Sequence, residues 1–272
     1  MARPIVFAKT RHHYDSYLDF FRLVAAAGFP VRYLDEIELD RDVTYVFTPY
    51  NGEAPPVLDR ARAGRRAKLV WWNLERAADD TLARSLDTVA GAVDAVWVSD
   101  RAFAKADPRF TYVPIAGERG IARERPAVPV RYNVCPLSYL WGRRQAIIHQ
   151  LDKRGLRIAP MAFGQAAQDD VVPYSGVILN LHQYEGTKTI APLRFAVAAS
   201  YAVPIISEAF SDPEALGLVI AAVPYGQIVE TTALLCHPAR AGELAEAGQR
   251  LHRRLCDDTS FGREVDLAAA LL

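Results

Sequence analysis

Short apolar runs bounded by polar or turn-forming residues recur along the whole chain, and between them apolar positions return at intervals of three and four. The first pattern predicts buried strands and the second amphipathic helices. In the first half the runs are Pro4 to Lys9, Val31 to Leu34, Thr44 to Phe47, Leu69 to Asn73, Ala95 to Ser99 and Thr111 to Ile115. A helix is predicted from about Asp15 to Ala27, capped by Asp15 or Ser16 and closed by Gly28. Strands are predicted again over Val130 to Cys135, Leu156 to Ala159, Val177 to Leu181, Ala202 to Ile206 and Leu218 to Val223. Between and after them, helices are expected over Arg143 to Gly155, Ile190 to Tyr201, Gln227 to Cys236 and Ala239 to Leu255. Strands alternating with helices imply a mostly parallel sheet covered on both faces.

From Gly117 to Pro129 the texture changes to glycine, charge and proline with no apolar period, which predicts a linker. The expected organisation is an N-terminal α/β domain over residues 1–120, a linker over 121–129 and a C-terminal α/β domain over 130–272. Both halves are of a size that a Rossmann-like fold can occupy. A terminal helix near Gly262 to Leu272 is placed to pack back on the first half.

Composition confirms a folded globular chain: of 272 residues, 51% are hydrophobic and 24% charged. Lysine plus arginine equals aspartate plus glutamate at 32 each, so no global field favours a polyanion and only a local basic patch could. Cys135, Cys236 and Cys256 are far apart with no Cys-x-x-Cys pair, and are expected to pack as small apolar residues. The opening MARPIVFAKTRHHYD has too short an apolar stretch for a signal peptide. No run approaches the roughly eighteen apolar residues of a spanning helix, so the expected location is the cytoplasm.

Candidate chemistry concentrates at 176–208, where two strands and a helix form a βαβ unit. Asn180, His182, Tyr184 and Glu185 leave the carboxyl end of one strand, and Ser207 and Glu208 leave the next, where parallel sheets bind ligands. Arg143 and Arg144 open a helix, where the macrodipole disfavours a cation, so an anionic partner would explain them; solvated surface arginines are the plainer alternative. Arg194 is read either as an anion-binding group or as one half of an interhelical ion pair. Glu208 either accepts hydroxyl hydrogen bonds or caps the segment Asp212 to Leu216, and His182 either contacts a ligand or is structural.

The run Leu179-Asn180-Leu181-His182, then Tyr184, Arg194 and Ile206-Ser207-Glu208, resembles the donor side of GT-B-type glycosyltransferases that use nucleotide sugars. Val70-Trp71-Trp72-Asn73-Leu74-Glu75, followed by Val96-Trp97-Val98-Ser99-Asp100, is similar to the N-terminal half of that family, and Arg143-Arg144 with the helix Gln145 to Leu151 to the start of its C-terminal half. Two positions depart from the pattern. The acid expected beside Arg194 is replaced by Ala191 and Val197, and Ser138-Tyr139-Leu140-Trp141 fills a loop where the family carries glycine.

The resemblance implies two Rossmann-like domains facing a cleft and transfer of a sugar from a nucleoside diphosphate sugar, a co-substrate, with no separate cofactor. Arg143, Arg144, His182, Tyr184, Arg194, Ser207 and Glu208 are the expected donor contacts. On the acceptor side Glu75, His12 and His13 follow strands and are candidates for the general base. Glu75 could instead be a helix N-terminal carboxylate paired with Arg76. The acceptor stays open among a small molecule, a glycan and a modified base in nucleic acid, and a non-catalytic sugar-nucleotide or glycan-binding module is the alternative from another class.

Other classes lack their motifs. The sequence has no Gly-x-Gly-x-x-Gly after the first strand, no Walker loop and no Gly-x-Ser-x-Gly elbow. No metal site is expected: His12 and His13 have no third ligand, and Asp169-Asp170 and Asp257-Asp258 are adjacent rather than spaced as Asp-x-Asp.

Overall fold

In a computed structural model the apolar runs become ten parallel strands in two sheets, among described residues 3–12, 16–48, 54–74, 86–87, 89, 91–121, 130–187, 190–212 and 214–272. The first sheet comprises β1 (Ile5–Lys9), β2 (Val31–Tyr33), β3 (Thr44–Phe47), β4 (Lys68–Asn73), β5 (Ala95–Val98) and β6 (Phe110–Tyr112), in the order β2-β1-β3-β4-β5-β6. The second comprises β7 (Tyr132–Cys135), β8 (Ser175–Asn180), β9 (Ile205–Glu208) and β10 (Ala221–Val223), in the order β10-β9-β8-β7. Two compact units result, one of residues 1–115 with 261–272 and one of 116–260.

In the first unit the strand period of two separates neighbours onto opposite faces. Trp71 joins Tyr45, Phe47, Leu69 and Val96 against the helix Ala54–Ala63, whose Val57, Leu58 and Ala61 are buried there. Trp72 points the other way, into an aromatic cluster. Its ring meets Phe20 of the helix Ser16–Ala26 edge-on at 5.3 Å, Trp97 edge-on at 5.4 Å and Phe261 stacked at 5.6 Å. Phe261 opens the terminal helix Phe261–Ala269 and is fully buried.

Several boundaries differ from the sequence expectation, each for a local reason. The run Ala202 to Ile206 enters the sheet only at Ile205, because Ala202 turns at φ 52° and Pro204 supplies no N–H; the strand then continues through Glu208. Leu156 to Ala159 makes only the bridge of Ile158 to Val134, with the Asn133 side chain accepting from the Arg157 amide at 2.9 Å. The first part of the expected linker packs within the second unit: the Gly117 amide donates to Leu255 O at 2.8 Å and Arg119 Nε to Cys256 O at 3.2 Å. Among the described residues no helix is long and apolar enough to cross a membrane.

Because Phe261 is fully buried against the rings of Phe7, Phe20 and Trp72, Phe261→Ala should cost about 3–5 kcal/mol of unfolding free energy, the usual range for emptying a buried aromatic site. Urea unfolding checks it, and a loss within about 0.5 kcal/mol would show that the terminal helix does not hold the first unit together.

Candidate functional site at the carboxyl edge of the second sheet

The chain leaves β7, bridges to its outer side at Ile158, then crosses to its other side to form β8. Strand order therefore reverses at β7, and the crevice beyond the carboxyl ends of β7 and β8 is where such sheets receive ligands. The connecting loop is conformationally unusual: Leu137 sits at φ 40°, and Gly142 at φ 56° and ψ −129° begins the helix Arg143–Lys153. A side chain at position 142 would be strained at this φ, which is where glycine is needed. No side chain caps this helix, and an uncapped helix N-terminus is the kind of place where anions bind. In the loop before the helix, the Ser138 hydroxyl is buried without a hydrogen-bond partner among the described residues.

Arg143 reaches across β8 to the end of β9. Its Nη1 and Nη2 donate to Glu208 Oε2 and Oε1 at 2.7 and 2.8 Å, a bidentate pair, and Nη1 also donates to His182 O at 3.2 Å. The His182 amide donates to Glu208 Oε2 at 3.0 Å. The guanidinium lies 3.9 Å over the Tyr225 ring, while the Tyr225 hydroxyl donates to Arg143 O at 2.8 Å. Glu208 strengthens the hold of Arg143 on its proton, against the opposing effect of burial.

Arg144 Nε donates to Leu181 O at 3.0 Å, and Nη1 to Tyr139 O at 3.5 Å. Arg194, in the helix Pro192–Ser200, donates through Nε to Leu137 O at 3.1 Å and through Nη1 to Asn180 Oδ1. Asn180 Nδ2 in turn donates to Ser207 Oγ at 2.8 Å. The three arginines thus attach to the loop after β7, the residue after β8 and the last residue of β9. Cys135, the last residue of β7, is buried, and burial pushes its thiol pKa up to about 11.

Among the residues expected from sequence, Arg143, Arg144, His182, Arg194, Ser207 and Glu208 come together at this edge. Tyr184 lies just beyond on the surface, 55% exposed. The Arg143–Glu208 pair was not expected. Glu208 does not cap the following segment: Asp212 accepts from the Glu214 and Ala215 amides instead. Sequence reasoning missed Gly142, Ser138 and Tyr225; only glycine directly before the paired arginines was a readable signal. His12 is exposed on the loop after β1, its carbonyl accepting from Thr10 Oγ1 at 2.9 Å. Glu75 and His13 lie outside the described residues. Among those described, no group of three or more His, Cys, Asp or Glu is placed to hold a metal.

No protein-family model and no curated protein sequence matches this chain. Among solved structures it is similar to T4 phage β-glucosyltransferase, at 10% identity and a TM-score of 0.51, with 98% of each chain covered. A second similar structure, at 10% identity, TM-score 0.52 and the same coverage, is the DNA-modifying enzyme β-glucosyltransferase, whose substrate is uridine diphosphoglucose. A third is an E. coli trehalose-6-phosphate protein bound with UDP-2-fluoro glucose, at 12% identity and a TM-score of 0.54, over 94% of this chain and 84% of the other. The chain has the GT-B fold. At these identities the likeness speaks for that fold alone. The chemistry of the GT-B chain rests on its own side chains.

His182 is the titratable group most constrained here. Its Nε2 lies 3.0 Å from Ala209 O, a pure acceptor, so that nitrogen carries the proton. Burial lowers its pKa from 6.5, opposed by the Ala209 bond and Glu208 and reinforced by Arg194 and Arg143. The imidazole stays neutral in the fold where it would be protonated in the unfolded chain. Its contribution to stability is therefore present above pH 6.5, declines as pH falls below that and levels off beneath the depressed native value. Urea unfolding between about pH 7.5 and pH 5 should show this slope in the wild type and a shallower one in His182→Gln.

Proposed function

We propose that the chain is a glycosyltransferase whose second unit binds a nucleoside diphosphate sugar at the edge just described. The observation that carries the reading is the gathering of Arg143, Arg144, Arg194, Glu208 and an uncapped helix N-terminus at the switch point of a GT-B sheet. The similar structures with UDP-glucose and UDP-2-fluoro glucose support it. In this reading Arg144, Arg194 and the first-turn amides neutralise the diphosphate, whose charge grows as the glycosidic bond breaks. Glu208 accepts hydroxyls of ribose or sugar on the lone pairs that Arg143 and His182 leave, with Arg143 fixing its direction. His182, Tyr184 and Ser207 complete the donor contacts.

Arginine forks supply the positive charge that a divalent cation would otherwise provide, so we assign a metal-independent reaction needing no cofactor beyond the donor. The acceptor-side base is assigned to Glu75, with His12 or His13 as the alternative. The acceptor is a small molecule, a glycan or a modified base in nucleic acid, and the reaction is placed in the cytoplasm. A non-catalytic binding module is the second reading, favoured by the absence of an acid at Ala191 and Val197. Slow donor hydrolysis that stops in Arg194→Ala separates the enzyme from the module.

A nucleoside diphosphate at about a hundred times its dissociation constant should add roughly 2.7 kcal/mol to the stability of the protein. Arg144→Ala and Arg194→Ala should each weaken that nucleotide by about ten- to a hundredfold, the loss of one charged hydrogen-bond partner. Wild-type affinity in both variants would sink the diphosphate assignment.

Turnover should persist in chelator, and Glu75→Gln should keep donor binding while lowering turnover by about a hundredfold or more. Normal turnover in Glu75→Gln, with loss in a His12 or His13 variant, moves the base to the first loop. Metal-reversible loss in chelator would refute the metal-free assignment.

A further inference from the structure

Four tryptophans are present, and three are core residues: Trp71, Trp72 and Trp97 are 3%, 0% and 0% exposed. The fourth, Trp141, is 54% exposed and lies directly before Gly142 and the paired arginines. Its ring stacks on Tyr139 with centroids 5.3 Å apart and planes 14° apart. Tyr139 in turn packs on Phe163 at 5.0 Å and 41°. The three rings form a ladder whose inner members are sheltered and whose outermost member faces solvent.

The same loop has a polar side. The Tyr139 carbonyl accepts from Arg144, Ser138 carries its unpartnered buried hydroxyl, and Gly142 leads into the uncapped helix. Within five residues the loop therefore presents an anion-binding edge and an open aromatic face. A ligand that satisfies both carries phosphate and a planar ring close together, which is a nucleotide. A hexose has no π face to extend an offset stack of rings, whereas a base does.

We propose that Trp141, backed by Tyr139 and Phe163, is the stacking platform for the nucleobase of the bound nucleotide. The inference rests on the reading of the second unit as a nucleotide-sugar site and names the ring-recognising residue within it. Stacking is tolerant of base identity, so the platform contributes affinity more than base choice.

Because Trp141 is the exposed indole, intrinsic fluorescence reports on it. Uridine diphosphate or guanosine diphosphate should quench the wild type, whereas inorganic pyrophosphate and glucose should not. Trp141→Phe should keep the thermal stabilisation by nucleotide and lose the quench. Trp141→Ala, at a position exposed enough to leave folding intact, should weaken nucleotide binding by about five- to a hundredfold and leave pyrophosphate binding unchanged. Nucleotide stabilisation with no quench and unchanged affinity in Trp141→Ala overturns the platform and leaves the donor reading standing. Quenching by glucose alone assigns the face to a sugar and overturns the nucleobase. No stabilisation by any nucleotide overturns both.

Discussion

The bidentate contact between Arg143 and Glu208 is the constraint on which the candidate site depends. It joins the first residue of a helix to the last residue of a strand 65 positions later, across the intervening strand β8, and the His182 amide completes the carboxylate shell. Such a pair contributes little net stability, since desolvating two charges offsets their attraction. Removing one partner would strand the other, at about 3–5 kcal/mol. Its effect is positional: it fixes where Glu208 points and holds the helix N-terminus over β8. The cation at that terminus, unfavourable to the macrodipole, is tolerated because the carboxylate and the Tyr225 ring both face it.

Around that pair the edge is built from groups with few alternatives. Arg194 ties the loop after β7 to Asn180 at the end of β8, and Asn180 ties β8 to Ser207 on β9. Each side chain is oriented by another one, which is the preorganisation a charge-stabilising site requires. His182 belongs to the same frame: burial above all, and then the charges of Arg194 and Arg143, disfavour its protonation against the Ala209 bond and Glu208.

The first unit is organised by apolar contact instead. Trp72 is surrounded by Phe20, Trp97 and Phe261, and its indole N–H donates to Ser99 Oγ at 2.9 Å, which donates to Val113 O at 2.9 Å. The terminal helix thereby supplies a ring to a core whose other rings come from the helix Ser16–Ala26 and from β4 and β5. The hydrophobic effect is non-directional and the edge-on and stacked rings add only packing geometry, so this burial fixes the packing of the unit without prescribing chemistry at its edge.

Periodicity alone determined the alternating strands and helices, because core-facing positions must recur at two or at three to four residues whatever the tertiary detail. Thr44 to Phe47 and the start of the helix at Arg143 were readable to the residue for that reason, as was the clustering of polar residues after Leu179 and Ile206. Local exceptions were not: the turn at Ala202 and the lone bridge at Ile158 follow from φ values and pairings that a hydrophobic pattern does not encode. Tertiary structure alone decided that Arg143 would take Glu208 while Arg144 and Arg194 took carbonyls and Asn180. All three arginines look alike in sequence, and the choice depends on which strand end lies within reach of each side chain. Strand order in a parallel sheet is set by long-range crossovers, so the position of that reach is a property of the folded chain.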